Sequence, residues 1–268
     1  MKCKLCNSQV VFLGNASVLK KYKASYFQCS KCGFIAPDNP IWLEESYEAA
    51  ITKTDIGLIE RNITYSQITE CLIGCFFNAK SKFIDYGGGY GILVRLMRDR
   101  GFDFYRQDMY CDNLFATGFD ISDAPDKEFE ILTAFEVFEH LVNPLEEVGK
   151  MLKFSKNIFF STELAVNPAL PLDQWSYYGL EHGQHVALYT RQSLLEVAKY
   201  FGKHLITNGS SLHLLAESDE AGVMFQWITK LKMARILNGF LRVHMRPKSF
   251  LEHDYLVLKD RLNNENFS

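Results

Sequence analysis

The densest group of chemistry-bearing positions is a turn reading Asp85-Tyr86-Gly87-Gly88-Gly89-Tyr90-Gly91. Its glycines permit left-handed backbone and let main-chain amides approach a ligand. The N-terminus of a following helix favours a polar or anionic group there. Asp108 comes 21 positions after Gly87, the spacing of a carboxylate that accepts hydrogen bonds from a ribose diol. A nicotinamide-type loop would carry glycine or alanine at position 92, where this chain has Ile92. A second group is made of thiols. Cys3 and Cys6 form one C-x-x-C pair and Cys29 and Cys32 another, with 22 residues between the pairs. Four thiolates presented in this way make a closed tetrahedral zinc site, and a site with no open position is structural. A rubredoxin-like iron site is the alternative for the same donors. Cys71, Cys75 and Cys111 read as buried thiols.

The elements that must position these groups follow from patterning. The chain has 268 residues, a formal net charge of -3, and 47% hydrophobic and 23% charged residues. Those values exclude a wholly disordered chain and a generally basic nucleic-acid binder. No apolar run approaches the roughly 18 residues of a membrane span. No apolar signal segment precedes the first cysteines, so a cytoplasmic location is expected. Seven cysteines, an odd number, argue against a disulfide framework. Four regions separate: a zinc-binding module at 1–40, a helical linker or cap at 41–78, a core at 79–217, and a C-terminal helical extension at 218–268. In the cap, Ile56, Ile59, Ile63, Ile68, Leu72 and Phe76 recur as an apolar helical stripe.

In the core, strands are expected at 82–86, 102–107, 115–119, 129–135 and 157–161. Helices are expected at 92–100, ending at Gly101, at 144–152, opened by Pro144, and at 190–201, capped by Thr190. Residues 204–207 and 212–216 form a closing antiparallel pair. The alternation predicts an α/β fold, a Rossmann-like doubly wound seven-stranded sheet, mostly parallel. A small zinc-ribbon-like module precedes it and helices follow it.

With these pieces in place the sequence resembles the class I S-adenosylmethionine-dependent methyltransferases. The resemblance rests on DYGGGYG at 85–91, Asp108, and FEILTAFEVFEHLVNP at 129–144. It implies that Asp85, Gly87, Gly88, Gly89 and Gly91 contact the methionine part of S-adenosylmethionine, that Asp108 binds the ribose hydroxyls, and that the segment from Phe135 and Glu136 to His140 lines the methyl-transfer side. The paired C-x-x-C module and WSYYGLEHGQH at 175–185 are similar to a bacterial subgroup that often methylates sugars or polysaccharide precursors. A sugar or nucleotide sugar is therefore the implied small-molecule acceptor.

Methyl transfer to a hydroxyl needs an oriented acceptor and a base active near neutral pH, which histidine suits. The long connection at 164–189 leaves the carboxyl end of the sheet, where ligands bind in such folds. His182 and His185 are the leading bases, Glu181 an orienting carboxylate, and His140 a third base; each histidine has the competing reading of a satisfied core or capping residue. His182 and His185 also form H-x-x-H, a metal pair without an evident third ligand. Trp175, Tyr177 and Tyr178 either stack on a sugar ring or pack the loop onto the sheet. Glu136 and Glu139 face the cofactor's ammonium or the acceptor, or form the acidic first turn of a helix. Arg61 is a candidate for the methionine carboxylate, with a surface charge as its plainer reading.

Two basic features remain. The module carries Lys2, Lys4, Lys20, Lys21, Lys23 and Lys31 and no acid through residue 32. A solvated face that offsets the zinc–thiolate charge is favoured over a grip on nucleic acid. The stretch 221–251 has no acid and interleaves Lys230, Lys232, Arg235, Arg242, Arg246 and Lys248 with apolar residues. It reads as amphipathic helices that pack on the core or dock a second subunit or partner. The polar end, 263–268, is expected to fray. A nucleic-acid methyltransferase and a non-catalytic cofactor-binding subunit are the rival functions.

Overall fold

Antiparallel pairing organises the first forty residues. In the computed structural model, which describes residues 1–47, 55–245 and 247–265, β1 (Val10–Val18) pairs with β2 (Tyr22–Cys29), and β2 with β3 (Ile35–Pro37). Both strands of the hairpin run longer than their apolar stretches foretell. A short helix α1 (Leu43–Ser46) follows; the part of the cap at 48–54 lies outside the described residues.

The core alternates as the pattern requires. Helix α2 (Leu58–Phe76) leads into β4 (Lys82–Tyr86), α3 (Ile92–Asp99), β5 (Asp103–Gln107), β6 (Ile131–Ala134), α4 (Pro144–Met151), β7 (Ile158–Ser161), α5 (Arg191–Tyr200), β8 (His204–Thr207) and β9 (Leu212–Ala216). The sheet order is β5-β4-β6-β7-β9-β8. The first three pairings are parallel, and β9 runs antiparallel to both β7 and β8. All residues of β6, β7 and β9 are buried, as expected of strands covered on both faces. Thr190 caps α5, accepting from the Ser193 amide at 3.1 Å.

Three expectations need correction. The sheet has six strands among the described residues, not seven. Residues 115–119 are not extended, because Asn113 folds them into a turn: its Nδ2 donates to the Ala116 carbonyl and its Oδ1 accepts from the Ala116 amide. Only a single parallel bridge, Arg106 to Asp120, marks the place of the missing strand. The apolar stripe of α2 is real only in its second half. Ile68 and Leu72 are buried, whereas Ile56, which precedes α2, and Ile59 and Ile63 in its first half are exposed. The polar end does not fray at once: α8 (Leu251–Glu265) runs through Asn263 and Asn264, and residues 266–268 lie outside the described residues.

Between the core and α8 lie α6 (Gly222–Ile228) and α7 (Leu231–Met245). The basic residues of this segment turn inward more than an unpartnered face would. Arg242 makes a two-pronged pair with buried Glu70 of α2, at 2.6 and 2.7 Å, and Arg235 donates to Gln67 at 2.7 Å. Arg246 lies outside the described residues. Helix α8 is fastened by Asp254, whose two oxygens accept from Arg98 Nε and Nη2 at 2.7 and 2.8 Å. Both side chains are buried, and Arg98 also donates to Asp103 and the Phe104 carbonyl. Removing one partner strands the other charge in a dry site. Asp254→Ala is therefore expected to cost about 3–5 kcal/mol of stability, read from urea unfolding midpoints.

Candidate active site

The sequence-derived site residues collect at the carboxyl ends of β4, β5, β6 and β7, where strand order turns back between β4 and β6. A cavity of about 1420 Å³ opens there.

One half is a cradle of main chain. Gly87 has φ +67°, and a β-carbon there would stand 2.7 Å from Val137 Cγ2, so glycine is required. Gly91, at φ +86°, caps α3. Gly87, Gly88 and Gly89 line the cavity. Asp108 is preset by three amides: Oδ2 accepts from Gly89 at 2.9 Å, and Oδ1 from Tyr110 and Cys111, both at 2.8 Å. Arg106, which sequence reasoning passed over, ties the cradle together. It is buried in β5 and donates to the Gly89 carbonyl and Asp120, both at 2.7 Å, and to the Cys111 carbonyl. Its only sequence signal was a charge inside the strand FDFYRQ. Asp85 lies buried beneath the loop. Burial pushes its carboxyl up to about 7, against the opposing pull of a 2.7 Å hydrogen bond from Thr133.

Phe135 and Glu136 leave β6 toward the same cavity. Tyr65 of α2 stacks on Phe135 with ring centroids 4.4 Å apart. Glu136 has φ +54°, a left-handed backbone that is costly for this residue and clusters at functional sites. A clamp holds it there: its amide donates to Ser161 Oγ at 2.7 Å, and Ser161 donates to Glu136 Oε1 at 2.6 Å. It precedes the short turn Phe138–His140, so a helix first turn is not its setting. Arg61 lines the cavity, with one terminal nitrogen donating to both oxygens of Asp55 at 2.7 Å.

The other half gathers histidines. The rings of His140 and His185 are 5.1 Å apart and those of His182 and His185 are 4.8 Å apart. His185 Nδ1 lies 2.6 Å from the Tyr177 carbonyl, which only accepts, so this nitrogen carries the proton and Nε2 keeps its lone pair. His182 is the reverse: its Nδ1 accepts from the Gln184 amide at 3.2 Å, which leaves Nε2 as the donor. Burial lowers the pKa of all three rings, His185 to about 4. Backbone groups thus orient the rings of His182 and His185. Glu181, exposed on the cavity wall, contributes its charge. Tyr47 meets His140 Nδ1 at 3.0 Å. Of the three aromatic residues weighed for stacking, only Tyr177 lines the cavity. Trp175 and Tyr178 pack into a small core with Tyr26, Ile35 and Trp42, which is the loop-packing alternative.

Glu139 is fully buried behind the histidines. Burial and then the charge of Glu136 push its carboxyl up to about 8. The hydroxyls of Thr162 and Tyr177 lie near it but bond each other at 3.3 Å, and both Glu139 oxygens are without a hydrogen-bond partner. Its carbonyl accepts from Val186 at 2.8 Å and Ala187 at 3.0 Å, which draws the histidine loop onto β6.

The N-terminal module backs this loop. Ile35 and Leu188 exchange two main-chain hydrogen bonds, both 2.9 Å; Trp42 Nε1 donates to the Gly183 carbonyl at 2.8 Å; Thr190 donates to the Cys32 carbonyl at 2.5 Å. The sulfurs of Cys3, Cys6, Cys29 and Cys32 converge, with contacts of 3.5–3.6 Å. Those are close to the roughly 3.8 Å edge of a zinc tetrathiolate with 2.3 Å bonds. Amides of Leu5 and Cys32 point at Cys3 and Cys29 sulfurs at 3.4 Å, so the donor set fits a closed metal knuckle.

A family model described as a methyltransferase domain matches residues 64–207. No match is found among curated proteins. Among solved structures, similarity extends to a plantazolicin methyltransferase in complex with SAH, at 13% identity, 66% of this chain, 94% of that chain and a TM-score of 0.43. An O-methyltransferase family protein from Burkholderia thailandensis aligns at 14% identity over 65% of this chain and 62% of its own, TM-score 0.43. A magnesium protoporphyrin IX methyltransferase from Synechocystis with bound SAM aligns at 11% identity over 66% of this chain and 92% of its own, TM-score 0.37.

Two outcomes follow from this geometry. The Asp85 carboxyl titrates at 3.8 when free and about 7 when folded, so the folded chain holds the extra proton. Its contribution to stability is full below the unfolded value and is lost as pH rises through the folded one. Asp85→Asn, which has no charge to bury, is expected to lose less stability than the native chain between about pH 4 and 7, measured as urea midpoints across that range. Trp42→Ala empties a buried site and deletes the bond to Gly183. A loss of about 3–5 kcal/mol is expected, with faster amide exchange across 179–188 while β4 to β7 stay protected.

Proposed function

We propose that this chain, which belongs to the methyltransferase-domain family, uses S-adenosylmethionine to methylate a hydroxyl of a sugar or polysaccharide precursor. The observation that carries the reading is that the glycine-loop half and the histidine half open onto one cavity. Bound S-adenosylmethionine supplies a sulfonium methyl group. The chain's own residues do the rest. Asp108 offers its carboxylate to the ribose hydroxyls, the loop at 87–91 accommodates the methionine portion, and Glu136 and Arg61 flank it. The acceptor lies against His140, His182 and His185. His185 takes the acceptor's proton at Nε2, the lone pair left open by its bond to Tyr177, and His182 donates a hydrogen bond from its own Nε2.

The character of that wall supports a polyhydroxylated acceptor. Leu43, Glu44, Tyr47, Glu163, Tyr177, Glu181 and Gln184 surround the histidines. Carboxylates, an amide and tyrosines suit hydroxyl groups. We also infer zinc in the four-cysteine cluster. With no open position it is structural, and it stiffens the strands that brace the histidine loop. No helix among the described residues is long and apolar enough to cross a membrane.

The test is a calorimetric titration with S-adenosylhomocysteine on zinc-loaded protein, followed by turnover with nucleotide sugars. Saturable binding is expected, weakened at least about tenfold in Asp108→Ala as a ribose contact is lost. His185→Ala is expected to bind S-adenosylhomocysteine normally and to slow methyl transfer by roughly 10²–10⁴-fold, the usual worth of a positioned base. Full turnover in His185→Ala would remove the base assignment.

A further inference from the structure

We propose that Glu139, His140 and His185 form a binding site for a divalent transition-metal ion at the acceptor end of the cavity. The sequence offered His182 and His185 as H-x-x-H with no third ligand; the fold leaves His182 out and brings Glu139 and His140 to His185 instead. One donor atom from each of Glu139, His140 and His185 lies within 4.8 Å of the other two. The set is two imidazoles and a carboxylate, a combination that binds zinc or iron(II) and leaves positions open.

Three further features match a built site. First, Glu139 is wholly buried and neither oxygen has a hydrogen-bond partner, so a carboxyl group stands in the interior without the group that would satisfy it. Second, both imidazoles are held from behind at Nδ1. His185 donates to the Tyr177 carbonyl at 2.6 Å and His140 meets the Tyr47 hydroxyl at 3.0 Å. Such outer partners fix the orientation of ligating histidines and leave Nε2 for the ion. Third, the donors come from separate segments that the backbone locks together, through the Val186 and Ala187 amides on the Glu139 carbonyl. His140 and His185 line the cavity, so an ion there has a path in and a face open to the acceptor.

The inference rests on the placement of the acceptor given above and deepens it. In the metal-free chain the His185 lone pair takes the proton; with the ion bound, that lone pair is a ligand. An acceptor hydroxyl in the open position then loses its proton to solvent more readily. The O–H bond breaks, oxygen bonds to the methyl carbon, the carbon–sulfur bond breaks, and neutral S-adenosylhomocysteine leaves.

The test is a cobalt(II) titration of the full chain freed of metal, followed by visible and near-ultraviolet absorption. Two equivalents are expected. One gives intense thiolate-to-cobalt charge transfer from the cysteine cluster, and the other only weak ligand-field bands. In Glu139→Gln, and in Glu139→Gln combined with His185→Ala, the second equivalent is expected to be lost while the thiolate band remains, which also certifies that the variant is folded. Saturation at one equivalent in the native chain, or a second equivalent indifferent to both variants, would overturn the site. S-adenosylhomocysteine binding in the same preparations reads the cofactor half separately. Normal binding without a second cobalt equivalent rejects the metal site and leaves the methyltransferase reading standing.

Discussion

A connection of 29 residues between β7 and α5 must find hydrogen-bond partners outside itself, and the histidine side of the cavity depends on how it does so. Beyond the short turn Ser176–Tyr178 and a bridge between Leu164 and Tyr189, a segment this long cannot satisfy all of its own buried amides and carbonyls. Here they are taken up from two directions. The turn after β6 accepts Val186 and Ala187 through Glu139, while β3 pairs with Leu188 and Trp42 holds Gly183. The histidines are carried on backbone pinned at both flanks, with their ring orientations set by main-chain groups. That arrangement meets the demand of catalysis for groups fixed before the substrate arrives.

The glycine-loop side obeys a different constraint. There the ligand-facing surface is largely main chain, so the fold must hold glycines and carboxylates still without filling the space they border. Buried charge does this work. Arg106 draws the glycine loop, the Cys111 turn and Asp120 to one guanidinium, whose planar fork suits several acceptors at once. The Ser161 clamp does the same for Glu136, keeping a non-glycine residue in a left-handed backbone. Both devices spend stability on geometry, the pattern expected where a site must be preorganised.

The sheet, its order of strands and helices, the glycine loop and the cysteine cluster were legible because each rests on local signals: alternating apolar runs, caps, glycine at turns, and C-x-x-C spacing. The loss of the third strand was not, since Phe115–Phe119 has strand-like composition, and the Asn113 side chain and the Tyr90 carbonyl, which accepts from Leu114 and Phe115, fold it into a turn. The half-exposed stripe of α2 misled for a related reason: periodicity finds a helix but not what lies beside it. Long-range pairings were invisible. Nothing near Glu139 in sequence shows that it lies behind His185, and nothing in the N-terminal segment shows that Ile35 will meet Leu188. The tyrosines and tryptophan of the loop were ambiguous in sequence because stacking on a ligand and packing on a neighbour use the same residue types. Burial separates them: Tyr178 is enclosed, and Tyr177 borders the cavity.

The small core shared by Val18, Tyr26, Ile35, Trp42, Tyr178, Val186 and Leu188 has a consequence for inheritance. Four of these residues come from the N-terminal segment and three from the loop that carries His182 and His185. Neither part can be exchanged with a homologue's without meeting the other's side chains. A change of acceptor achieved by remodelling the loop would have to pass through compensating changes in the first forty residues. The two segments, separated by more than a hundred positions, are therefore expected to diverge as one unit, while the sheet between them varies on its own schedule.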